Sequence, residues 1–377
     1  MKRIAPLLLL AALTACAPKA AENGPDLFPA EPFSGEVDGT PVALYTLRNG
    51  GTTLQVTNFG ARVVSLFTRD RDGKYEDIVV GHRSLEEYVT PPGERFLGAT
   101  VGPVANRIGG AAFEIDGVRY ETQKNDNGAN TLHGGFKGTD MVPWDVVEAC
   151  DTALVLHILC PDGFEGFPGD LSMTLTYSLE PTGDFTVDFF ADTDMPTPVN
   201  FTHHPFFCLR GEGNGSVEEY ELRINASHFI PIDGLSIPTG EIRPVEGTPF
   251  DFREPHRIGE RIADDDEQLR NGHGYDHNWC LDRETLHGLE FACRLSDPVS
   301  GRWVEVWTTE PGLQVYSGNF FRGGEYGTNG NELGFRSSVA LEAQQYPDAV
   351  NQPDFGNILI GPGEVYTQTT VYRFGAE

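Results

Sequence analysis

The chain has 377 residues, 39% of them apolar and 22% charged, which is enough to bury a large core and excludes a disordered segment. Its 56 acidic against 27 basic residues give a formal charge of -29. Such a surface repels phosphate backbones and anionic headgroups, so nucleic acid is excluded as a partner and a neutral ligand suits it.

In chain order, Lys2 and Arg3 precede a compact apolar segment, Leu7 to Ala12, too short to span a bilayer. "LTAC" then resembles the lipobox of bacterial lipoproteins. That resemblance implies a signal peptide over residues 1–15, with Cys16 lipidated as the new N-terminus. It also implies a periplasmic protein anchored to the outer membrane, since Ala17 stands where Asp favours inner-membrane retention. Residues 16–32, rich in Ala, Pro, Glu and Asn, read as a tether. Residues 33–377 show no break in composition and read as one domain.

From there, alternation with period two dominates, punctuated by turns. Asp38-Gly39, Asn49-Gly50 and Asp116-Gly117 each mark a two-residue hairpin turn. Ser84 is a cap for one short helical turn over "SLEEY". "LSMTLTYSL" puts Leu171, Met173, Leu175, Tyr177 and Leu179 on one face of a strand. A "PTGD" turn and "FTVDFF" follow. "RWVEVWTT" alternates Trp303, Val304 and Val306 with polar residues less cleanly. The reading is an all-β fold, a large antiparallel β-sandwich. Cys150, Cys160, Cys208, Cys280 and Cys293 show no metal-ligand spacing and read as mostly buried thiols.

"NFTHHPFF" sets His203 beside His204. Neighbours on a strand point to opposite faces, so only one of them can serve a given pocket. His273 and His277 are four apart, a helical zinc spacing, but the flanking glycines argue against a helix there. No G-x-S-x-G elbow is present for a serine hydrolase.

Five segments carry polar groups that ordinary strands and turns do not need. They are "VGPVANRIGG" (101–110), "NTLHGGFKG" (130–138), "VNFTHHPFFCLRG" (199–211), "HGYDHNW" (273–279) and "ALEAQQYPDAVNQPDF" (340–355). Together with "PGLQVYSGNF" (311–320), in this order, they closely resemble the aldose 1-epimerases, or galactose mutarotases, from about Pro41 to the C-terminus. The resemblance implies a supersandwich fold and no cofactor or metal. It implies interconversion of α and β anomers of a free aldohexose by acid–base ring opening and closure. Glu342 would be the base and His204 the acid, as Glu and His can be near neutral pH. Arg107, His133 and Asp276 would bind the sugar, with Asn106 and Gln314 as further candidates. Around these, His203, Pro205 and Phe206 replace the family's Asn, Thr and Tyr, and Gln345 replaces a frequent His. The alternatives are a sugar-binding lipoprotein without catalysis, and an epimerase for a modified sugar. Oligomeric state has no signal in the sequence.

Overall fold

A computed structural model describes residues 24–377. The leader and Cys16 lie outside the described residues. The end of the expected tether is docked rather than free. Phe28 exchanges backbone bonds with the Gln55 side chain at 3.1 and 3.0 Å, and its ring packs 6.0 Å from Phe67. A short 3-10 turn, Glu31–Phe33, then buries Phe33.

Antiparallel strands build a nine-stranded sheet, a six-stranded sheet and a four-stranded sheet, with smaller ribbons between. Strand Leu171–Leu179 alternates buried and half-buried residues over its whole length, as its pattern predicts. It pairs with Phe185–Thr193, which pairs in turn with Val365–Ala376. Side chains from all three large sheets meet in one core, including Leu54, Leu175, Val187, Leu313 and Leu341, each at most 2% exposed. Each such side chain contributes about 1.5–3 kcal/mol of burial.

The six-stranded sheet positions the site. Strands Asp276–Cys280, Gly312–Tyr316 and Val339–Gln344 are neighbours in it, with Asn278 opposite Gln314 and Gln314 opposite Glu342. Their odd-numbered residues, Trp279, Leu313, Val315, Val339 and Leu341, face the core. Alternation therefore turns Asp276, Gln314 and Glu342 to the opposite face together.

The turns at Asp38-Gly39 and Asp116-Gly117 form as predicted, with both central residues at positive φ. The third hairpin is one residue out: Asn49 pairs with Thr52, so Gly50-Gly51 makes the turn. Two adjacent glycines at φ 55° and 91° accept that geometry more readily than Asn-Gly would. Strand Arg302–Thr308 buries Arg302, Val304, Val306 and Thr308, not Trp303. Trp303 and Trp307 lie on the other face under the guanidiniums of Arg294 and Arg373, at 4.5 and 4.2 Å from the ring centres. Ser84 caps helix Leu85–Val89, accepting from Glu87 N. A second short helix, Glu267–Asn271, capped by Asp266, is too brief to show helical periodicity in the sequence. All five cysteines among the described residues are free, and only Cys150 is exposed.

Candidate active site

The two adjacent histidines separate as strand geometry requires. They lie on Thr202–His204, paired with Ala99–Val101. His203 enters the core between the rings of Tyr177, Phe185 and Tyr372, with Nδ1 3.2 Å from the Tyr372 hydroxyl. His204 points the other way, against Phe96, His133 and Phe206. Its Nε2 lies 3.3 Å from Glu342 Oε1, and both side chains are nearly sealed from solvent.

The remaining candidates converge on this pair from four segments. Gln314 Nε2 donates to Asp276 Oδ1 at 2.7 Å. Asn106 and His133 sit in the left-handed region, at φ 61° and 49°, and hold each other reciprocally. His133 N donates to Asn106 O at 3.0 Å, and Asn106 N donates to His133 Nδ1 at 3.1 Å. The paired glycines of "HGG" follow from this tight turn: at Gly134, φ 82°, a Cβ would meet Gly102 O at 1.9 Å. Arg107 pairs through Nε with Asp126 Oδ2 at 3.1 Å, which aims its guanidinium. The "YPDAVNQ" stretch is scaffolding. Asp348 N donates to Arg107 O, Asp348 Oδ1 accepts from Gly109 N and Asn351 Nδ2, and the loop carrying Arg107 is thereby fixed.

Burial sets the protonation states. It pushes Glu342 well above the usual carboxylate range, with the negative charges of Asp276 and Glu94 adding to the effect and Arg107 opposing it. It pushes His204 down to about 3, helped by Arg62. His133 is driven well below its ordinary value by burial, then by His204, Arg107 and Arg95. Asp276 is raised by burial, against the pull of Arg107 and Gln314. These shifts together favour an uncharged Glu342–His204 pair sharing one proton.

His273 and His277 do not form the zinc pair that their spacing allows. His273 is in a loop with φ 56°, and His277 is buried on a strand, its Nε2 3.3 Å from Gln268 Oε1. The metal-compatible group is a different one: His133, His204 and Glu342 bring three ligand atoms within 4.8 Å of one another. The tautomer of His133 opposes its use. An amide N–H can only donate, so Nδ1 accepts from Asn106 and the neutral ring carries its proton on Nε2. That nitrogen is a donor for an oxygen, not a lone pair for an ion.

The chain matches the family model described as Aldose 1-epimerase over residues 43–373. The chain belongs to the aldose 1-epimerase family. It is 40% identical to the galactose mutarotase of Rattus norvegicus, covering 89% of this chain and 95% of that protein. It is 35% identical to the aldose 1-epimerase of Escherichia coli K12, covering 90% and 97%. Among solved structures it is similar to an aldose epimerase homologue from C. elegans, with a TM-score of 0.82, 28% identity and coverage of 89% and 99%. It is also similar to galactose 1-epimerase from Lactobacillus acidophilus NCFM, with a TM-score of 0.78, 29% identity and coverage of 91% and 97%.

In this aldose 1-epimerase family member, all seven candidates for catalysis and sugar binding fall around one buried centre. Sequence reasoning missed three contributors. Phe96 lies 4.6 Å from the His133 ring and 6.0 Å from the His204 ring. Glu94, just before it, raises Glu342 electrostatically. Asp126 orients Arg107. The stretch "GERFLG" has no periodicity, and "NDNGAN" reads as an ordinary turn, so neither carried a signal.

Proposed function

We propose that this protein is an aldose 1-epimerase acting on a free neutral aldohexose, galactose or glucose. The observation that carries the reading is the buried Glu342–His204 contact at 3.3 Å, ringed by donors and acceptors suited to sugar hydroxyls. Glu342 takes the proton of the anomeric hydroxyl while His204 gives one to the ring oxygen. The ring opens to an aldehyde, the C1–C2 bond rotates, and closure on the other face returns both protons. Ring opening starts from the carboxylate–imidazolium pair and ends with both groups neutral. Burial makes the neutral pair the resting form, so the reactive carboxylate–imidazolium pair is its minor isoelectric form, and each ring opening returns both groups to the favoured neutral state. His133 Nε2–H, Arg107, Asp276 and Gln314 hold the hydroxyls.

Polarimetry of freshly dissolved α-D-glucose and α-D-galactose tests this. Acceleration by the wild type should fall about 10²-fold or more in Glu342→Gln and in His204→Asn, the usual scale for general acid–base groups. Unchanged rates in either variant would overturn the assignment. Preference between the sugars is expected to follow the wall where Phe206 stacks 4.9 Å from His204. The lipobox-like "LTAC" supports lipidation at Cys16 and a periplasmic, outer-membrane-anchored protein. Cys16→Ala should then release the protein from the membrane fraction; retention would count against the anchor.

A further inference from the structure

A cavity of about 620 Å³ lies apart from the catalytic centre, where the void beside Asn106, Arg107, Asp276 and Gln314 is only about 10 Å³. The larger cavity lies between residues 286–287, residues 309–311, the segment 355–360 and the start of strand Val365–Ala376. Gln345, the residue just past the strand that carries Glu342, also lines it.

Glu310 is the feature that folding does not explain. It is 2% exposed. Its Oε2 accepts from Gln345 Nε2 at 2.6 Å, and no bond to its Oε1 is made among the described residues. The nearby Arg283 does not pair with the carboxyl. That guanidinium spends its donors on the main-chain carbonyls of Thr285, Gly288, Thr308 and Glu310 itself. Burying a carboxyl with one bond is costly, and an apolar residue would fill the place without that cost.

We propose that this cavity is a second saccharide site, distinct from the catalytic one, that takes a neutral mono- or disaccharide with Glu310 and Gln345 as polar anchors. Its volume falls in the roughly 300–1,000 Å³ of small-molecule sites. Among the described residues no Lys or Arg lines it, so it offers a neutral ligand more than a sugar phosphate or other anion. Burial pushes Glu310 up to about 8, so at neutral pH it is an acid, one donor and one acceptor, and calls for no cation. Thr309 adds a hydroxyl, and Tyr346 against Phe355, edge to face at 5.6 Å, adds an aromatic wall for a sugar face.

The test is calorimetric titration of glucose, galactose, maltose and lactose into the wild type, Glu310→Leu and Val365→Trp, with choline as a cationic control. Val365 is an exposed lining residue, so its Trp variant narrows the cavity without touching the core. At least one saccharide should bind the wild type and lose tenfold or more in affinity in both variants. The mutarotation rate should stay within twofold in both. If no saccharide shows binding that both variants weaken, or if choline binds where no saccharide does, the proposal is overturned; binding of glucose or galactose that neither variant changes belongs to the catalytic site. Binding and mutarotation are read separately, so a protein without mutarotase activity would still decide it.

Discussion

At the scale of single residues, the contrast between His203 and His204 shows how one peptide bond decides a role. Both imidazoles are buried and both are pushed down to about 3, yet only His204 reaches Glu342. His203 is a packing residue in an aromatic cage. His203→Asn should cost about 1–3 kcal/mol in urea unfolding through lost packing while leaving kcat within a few-fold. A drop in kcat equal to that of His204→Asn would show that the two imidazoles share the chemistry. Glu94 works at the same scale through its field. Its negative charge helps hold Glu342 above the carboxylate range, and burial pushes Glu94 itself up to about 7. Removing that charge lowers the Glu342 pKa. Glu94→Gln should therefore move the acid limb of the pH profile of kcat/KM to lower pH, and an unmoved limb would mean that Glu94 is not felt.

Among elements, the short segment 95–97 depends on a buried ion cluster. Asp140 accepts from Arg95 Nε and Nη2, each at 2.8 Å, and from Arg62 Nη2 at 3.3 Å. Arg62, fully buried on strand Arg62–Arg69, also donates to the carbonyls of Arg95 and Leu97. Phe96 is thereby pinned against the His133 and His204 rings. Asp140→Ala leaves two guanidiniums without their carboxylate and should cost about 3–5 kcal/mol in denaturant unfolding, with a raised KM from a loosened Phe96. A neutral result in both would show that backbone bonds alone hold the segment. None of this was legible in the sequence, because partners 33 to 78 positions apart leave no local pattern. What was legible is local: alternation in Leu171–Leu179, the Ser84 cap, the turns at Asp38-Gly39 and Asp116-Gly117. The Asn49 turn slipped by one residue because Asn-Gly and Gly-Gly were adjacent candidates and cross-strand pairing decided between them. The site was read through family resemblance, and strand parity alone added that His203 and His204 must part.

For the whole molecule, buried titratable groups squeeze stability from both sides of the pH scale. His82, held down to about 4, with His203, His204 and His277 held down to about 3 and His133 well below its ordinary value, are neutral in the fold. Unfolding lets them protonate near about 6.5, so their contribution is complete above that pH and is lost as pH falls toward the folded values. Buried acids run the opposite way. Asp77 and Glu342 are raised well above the usual range, Glu94 to about 7 and Glu310 to about 8. Their contribution is complete below about 4.5 and is lost as pH rises through the folded values. Between about 5 and 6 the two slopes nearly cancel, because the unfolded chain gains protons on histidines while losing them from carboxyls. Thermal unfolding should therefore show a stability maximum near about pH 5–6 and a decline above about pH 7, where only the carboxyls still titrate. Glu310→Gln keeps the shape and the bond from Gln345 but cannot ionise. Its melting temperature should gain on the wild type from about pH 5 to 8 and level off above that, and parallel curves from about pH 5 to 8 would show that Glu310 is already charged in the folded protein.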